Sequence, residues 1–128
     1  MMDNDAFRHW SHRTADWAAE YRATLGGLSV RAPLEPGATL AKLAATPPEN
    51  AEPIEAVFAD FENIIVPGMT HWQHPRFFAY FPSNAPLPSV LAEQLVNAMA
   101  CQCMLWQTSP AATELETRMM QWLREALG

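Results

Sequence analysis

Four side chains in this sequence could together hold a metal: His71 and His74, spaced His-x-x-His, and Cys101 and Cys103, spaced Cys-x-Cys. Two imidazoles and two thiolates are the ligand set of a structural zinc site. The spacing argues against one. Paired cysteine ligands usually stand about two to four residues apart and Cys-x-Cys is tight, so small buried thiols are the better reading and no metal site is expected. Cysteines this close are also poorly placed for an ordinary structural disulfide, which points to reduced thiols. Hydrolytic chemistry has no better footing, since no Gly-x-Ser-x-Gly elbow occurs. Glu114 and Glu116 are two apart and point to different sides of a helix, so they make no acid–base pair there; charge near a helix start explains them. The five glycines form no phosphate-cradling loop.

Composition narrows the class further. The chain has 128 residues, one domain's worth, and is 49% hydrophobic but only 17% charged. Five Trp, six Phe and seven Met are more large apolar groups than a small surface readily hides, so a partner is expected to cover some of them. A net charge of −6 without a basic block excludes a nucleic-acid footprint. Met1-Met2-Asp3-Asn4-Asp5 lacks the basic and apolar regions of a signal peptide, and no apolar run is long enough to span a bilayer. A soluble cytoplasmic protein that binds neither nucleic acid nor membrane is expected.

The positioning elements read as helices. Phe7, Trp10, Thr14, Trp17, Tyr21 and Leu25 recur at spacings of 3 and 4, which predicts an amphipathic helix over 4–25. Asp3, Asn4 and Asp5 offer N-caps and Gly26-Gly27 a stop. The bulky stripe packs either on the chain's own core or on a second subunit; spacing leaves both open. Residues 28–53, broken by Pro33, Pro36, Pro47, Pro48 and Pro53, read as an extended arm in which only Thr39 to Ala45 could form a short helix. Ile54, Val57, Phe58, Phe61, Ile64 and Ile65 predict the next helix, with Pro53 in its first turn and Pro67-Gly68 ending it. Pro88 to about Cys101 predicts a third, with Val90, Leu91, Leu95, Ala98 and Met99 inward. Ser109-Pro110 starts a last helix whose apolar face is Leu115, Met119, Trp122, Leu123 and Leu127. No strand alternation is evident.

Between the second and third helices lies a stretch dense in rings: His71, Trp72, His74, Phe77, Phe78, Tyr80 and Phe81. A disordered linker would not carry so many, whereas an ordered pocket-lining loop would. Spacing alone would place Tyr80 and Phe81 in a core, and Phe77, Phe78 and Trp106 are expected there.

The run from Pro67 through His71-Trp72-Gln73-His74-Pro75 and Phe77-Phe78-Ala79-Tyr80-Phe81 to Pro82 resembles the early segment of group II pyridoxal-phosphate-dependent decarboxylases, whose best-known members act on DOPA, aromatic L-amino acids, tryptophan, tyrosine and histidine. Ser109-Pro110-Ala111-Ala112-Thr113-Glu114-Leu115-Glu116, followed by Met119-Met120-x-Trp122-Leu123, is similar to the family's next block. Phe7, the helix around Asp16-Trp17 and the Glu35-Pro36-Gly37 turn stand at the expected distances upstream, so the resemblance covers essentially the whole chain.

The resemblance implies a mainly α segment: the helical amino-terminal arm and first helices of a fold-type-I pyridoxal-phosphate enzyme. Residues 1–86 would be the arm and dimerisation segment, ending in the aromatic substrate-site loop, and 87–128 the first helices of the large cofactor domain. It implies a homodimer whose arm lies across the partner, an amino-acid substrate and pyridoxal 5'-phosphate, whose ring takes up the electrons left when carbon dioxide departs. Tyr80, Phe81, Pro82 and Ser83 match the loop lining the substrate site, and Trp72 matches an aromatic wall of that pocket. Gln102 and Met104 match positions reaching into the neighbouring subunit's site. Three positions depart from the DOPA-type pattern. Ser83 stands for threonine, Gln102 for an aliphatic residue and Met104 for an aromatic one, which suggests a pocket retuned for another substrate.

The only lysine is Lys42, in the arm rather than in the family's cofactor-bearing His-Lys pair. The resemblance places the ring-stacking histidine, the aspartate beneath the pyridine nitrogen and the phosphate loop beyond residue 128. No catalytic or cofactor-binding residue is therefore expected in this chain. It should be inactive until joined to the rest of the enzyme, whether the sequence is a truncated one or a second chain supplies the cofactor domain. The competing expectation is a non-enzymatic helical dimerisation or interaction module left from a truncated decarboxylase gene.

Overall fold

A computed structural model describes residues 2–81 and 84–128, and all its regular elements among these are helical. They form two compact units, Met1–Ser83 and Asn84–Gly128.

In the first unit, helix α1 spans Asn4–Thr24. Asp3 caps it from extended backbone, its carboxylate accepting the Ala6 N–H at 2.8 Å. A 3-10 turn over Leu25–Gly27 ends it and buries Leu25, the only buried apolar residue among those described, at 5% exposure. Helix α2 covers only Ile54–Asp60 and then widens into a π-helical stretch at Phe61–Ile65 and a 3-10 turn at Val66–Gly68. The expected uninterrupted helix therefore does not form. The wider turn closes with the Val66 N–H on the Phe61 carbonyl, five residues back, while the Asn63 side chain donates to the Ala59 carbonyl at 2.8 Å. Pro53 sits at the N-cap, one residue ahead of the expected first turn.

The α1 stripe packs on its own unit along this segment. Trp10 meets Phe58 at 5.2 Å between ring centroids and Trp17 meets Phe61 at 4.8 Å. Between them Arg13 lies over the Phe58 ring at 5.1 Å and donates to Glu62 at 3.1 Å. That ion pair is roughly 40% exposed, so it contributes at most about 1 kcal/mol; the rings supply most of the contact. Phe7, at the start of the stripe, stays exposed.

The proline-rich arm is ordered by two anchors. Glu35-Pro36-Gly37-Ala38 makes a tight turn, with Gly37 at φ +91° and the Ala38 N–H on the Glu35 carbonyl at 3.1 Å. Farther along, Thr39 is pressed against Gly68: a Cβ there would stand 2.9 Å from the Thr39 hydroxyl. The expected short helix is a single 3-10 turn, Leu40–Lys42.

In the second unit, α3 spans Leu87–Met99 and ends at Ala100, which takes the left-handed conformation (φ 49°). Helix α4 spans Pro110–Leu127. Ser109 occupies its N-cap position, but the side chain makes no capping bond. The apolar faces anticipated as inward are not covered. Val90, Leu91, Leu95 and Met99 on α3, and Leu115, Met119, Trp122, Leu123 and Leu127 on α4, are all exposed. Periodicity identifies a face that can be buried, but two helices and a turn contain no layer to bury it.

Candidate functional site

The aromatic loop is built by a chain of short turns. The His71 N–H bonds the Val30 carbonyl of the arm at 2.9 Å, the His74 N–H bonds the His71 carbonyl and the Phe77 N–H bonds the His74 carbonyl, both also at 2.9 Å. Both histidines are buried, and each has its Nδ1 in a hydrogen bond that helps hold the loop. The Tyr21 hydroxyl of α1 shares a 2.8 Å hydrogen bond with His71 Nδ1, and His74 Nδ1 accepts the Arg76 N–H at 3.0 Å. Burial pushes the Tyr21 phenol above its ordinary value, against a smaller opposing pull from the Arg22 charge. Among the described residues no three His, Cys, Asp or Glu side chains gather closely enough to hold a metal ion. The one buried side-chain polar atom without a partner among them is His74 Nε2.

Above this footing the rings assemble. Trp72 packs against Phe77 at 5.0 Å and stacks on Tyr80 at 5.7 Å with 25° between planes. Tyr80 has φ 56°, a left-handed backbone that a bulky residue rarely adopts and that costs of order 1–3 kcal/mol. Such strain persists where the surroundings impose it, and here it turns an exposed phenol onto the Trp72 ring. Tyr80 and Phe77 line an open cavity of about 730 Å³ with Val30, Arg31, Thr70, Arg76, Phe78 and Ala79. Trp72 backs that wall through both rings without lining it. Phe81 is fully exposed, and Phe78 is 90% exposed, against the expectation of a core position. Pro82 and Ser83, also expected at the site, lie outside the described residues.

Gln102 and Met104 belong to the second unit, on the connection between α3 and α4. Both are exposed. Their loop is held by contacts that helical periodicity does not reveal. Thr108 Oγ1 lies 2.7 Å from the Gln102 carbonyl and 2.9 Å from that of Leu105. The Trp106 indole N–H donates to the Glu114 carboxylate at 2.8 Å. Trp106 is thus an exposed anchor rather than the expected core residue, and Glu114 is its acceptor as well as charge near the helix start. Cys101 and Cys103 are free thiols, with their sulfurs 3.6 Å apart.

The residues present do not by themselves fit pyridoxal phosphate. Lys42, the sole amine able to bond it, is exposed on the 3-10 turn of the arm and is not among the residues lining the aromatic cavity. Of the loop's two histidines, His71 is bonded to the Tyr21 hydroxyl and His74 to the Arg76 N–H.

A family model described as the pyridoxal-dependent decarboxylase conserved domain matches residues 36–128. The aromatic-L-amino-acid decarboxylase of Rattus norvegicus is 42% identical over 126 residues, covering 98% of this chain and 26% of the relative. The tyrosine decarboxylase of Papaver somniferum is 40% identical over 126 residues, covering 98% of this chain and 25% of the relative. The crystal structure of Oryza sativa TDC with PLP and tryptamine superposes with a TM-score of 0.90 at 32% identity, over 97% of this chain and 26% of that one. The chain spans about a quarter of the length of these curated relatives. No described helix is long and apolar enough to cross a membrane. Its two sequence blocks, its helical fold and its matched family model agree: this chain belongs to the pyridoxal-dependent decarboxylases.

Proposed function

We propose that this chain is the amino-terminal part of a pyridoxal-phosphate-dependent L-amino-acid decarboxylase acting on aromatic or related amino acids. The observation that carries the reading is the Trp72–Tyr80 stack, set by a strained backbone at the edge of an open cavity. A stacked pair of flat faces suits a planar side chain. In this reading Tyr80 lines the substrate pocket, Trp72 backs it and Phe81 stands next in the loop; Pro82 and Ser83, outside the described residues, are assigned to the same loop by the family resemblance alone. Gln102 and Met104 reach the neighbouring subunit's pocket in a homodimer. Residues 1–86 are the arm and dimerisation segment, and 87–128 open the cofactor domain. The uncovered apolar faces of α3 and α4 support a partner surface larger than either helix supplies.

The chain's contribution is shape: it positions a flat side chain and keeps water from the reacting carbon, while the cofactor supplies the electron sink. The bond to that cofactor is made elsewhere in the enzyme. In the test, this chain and the complete enzyme are each incubated with pyridoxal phosphate and aromatic L-amino acids. Carbon dioxide release and the absorbance of protein-bound cofactor are then followed. Both signals are expected from the complete enzyme only; either one from the chain alone contradicts the assignment.

A further inference from the structure

Cys101 and Cys103 face each other across 3.6 Å, with Cys101 half-buried and Cys103 exposed. They lie between the left-handed end of α3 at Ala100 and the start of α4, so no helical hydrogen bond holds their backbone apart. We propose that the two form a reversible intrachain disulfide, making residues 101–103 a thiol-oxidation site. A disulfide needs the sulfurs at about 2.0 Å, and this pair already stands in van der Waals contact at 3.6 Å. The tight spacing that argues against a structural disulfide argues for a labile one, because strain makes a disulfide easier to reduce.

The exchange balances with a small-molecule disulfide as oxidant. The exposed Cys103 loses its proton to solvent, and its thiolate attacks one sulfur of oxidised glutathione. A mixed disulfide forms and one glutathione thiolate leaves. Cys101 then loses its proton, and its thiolate attacks the Cys103 sulfur. The protein disulfide forms, the mixed disulfide breaks and the second glutathione leaves. Two protein thiols have been oxidised and one glutathione disulfide reduced. The order fits the pair: the thiol–thiol contact with Cys103, with desolvation adding, favours the protonated form of Cys101 and raises it above its ordinary value, so Cys101 is the slower first nucleophile.

Closure would reshape the backbone around Gln102, whose carbonyl now faces the Thr108 hydroxyl. Any effect on substrate choice rests on the proposed function, whereas the disulfide itself does not. The protein is equilibrated in glutathione buffers from reducing to oxidising, quenched with acid, alkylated and mapped by peptide mass. In oxidising buffer the peptide spanning 101–103 is expected two hydrogens lighter and unalkylated, a change reversed by dithiothreitol. Cys101→Ser is expected to stop at a glutathione adduct on Cys103. Wild-type protein alkylated at both cysteines throughout, a persistent glutathione adduct on it, or a disulfide joining two chains would each overturn the proposal.

Discussion

The Trp106 indole and the Glu114 carboxylate are joined at 2.8 Å, tying the loop that carries Gln102 and Met104 to the second turn of α4. Both residues are exposed, so the bond's contribution is modest, about 1 kcal/mol. Glu114→Ala should speed hydrogen exchange of the Trp106 indole N–H roughly fivefold to tenfold, measured by NMR, while Glu114→Gln retains an acceptor and most of the protection. Equal exchange in all three proteins would show that the contact does not hold the loop.

The Tyr21–His71 hydrogen bond ties α1 to the aromatic loop. Tyr21→Phe leaves His71 Nδ1 without this partner and should lower the stability of the first unit by about 1–3 kcal/mol in urea unfolding. Tyr21 also carries a pH signature. Its folded phenol ionises above the ordinary 10.0. Its contribution is fully present below that value, where both folded and unfolded states are protonated. As pH rises past it, the unfolded state releases the proton first, and stability falls until the folded phenol ionises too. The urea midpoint should therefore fall above pH 10.0, and this component of the loss should be missing in Tyr21→Phe.

Gly68 is where the arm meets the turn after α2. Gly68→Ala puts a Cβ 2.9 Å from the Thr39 hydroxyl and should destabilise the first unit by about 1–3 kcal/mol. Thr39→Ala removes the obstructing atom, so the double variant should recover most of the loss. Additive losses in thermal unfolding would mean that the arm does not press on Gly68.

Gln102→Ile in the complete enzyme should move the substrate profile toward that of the DOPA-type enzymes. A panel of kcat/KM values across aromatic L-amino acids measures it. An unchanged profile would count against a role for Gln102 in specificity.

Much of the fold was legible in the sequence because local chemistry sets it. The Asp3 cap, the Gly26-Gly27 stop, the Glu35-Pro36-Gly37 turn and the Ser109-Pro110 start each depend on a few adjacent residues. The π-helical turn at Phe61–Ile65 was not legible, since apolar spacings of three and four fit an ordinary helix equally well. Nor was the left-handed Tyr80, which depends on contacts made by the folded loop. The partners of His71 and His74, the Tyr21 hydroxyl and the Arg76 N–H, were not legible either, since the first lies fifty residues away in sequence and the second depends on the fold of the loop. Trp106 looked like core because its acceptor lies eight residues away across a turn. The inward face read for α3 and the apolar face read for α4 are both exposed, and their cover lies in neither helix.

In the proposed reading a flat substrate side chain rests against the wall formed by the aromatic loop. The most direct measurement is kcat/KM for aromatic L-amino acids in the complete enzyme carrying Tyr80→Ala, with bound-cofactor absorbance recorded on the same samples. A fall of about tenfold to a hundredfold in kcat/KM with cofactor absorbance retained is expected. An unchanged kcat/KM would contradict it.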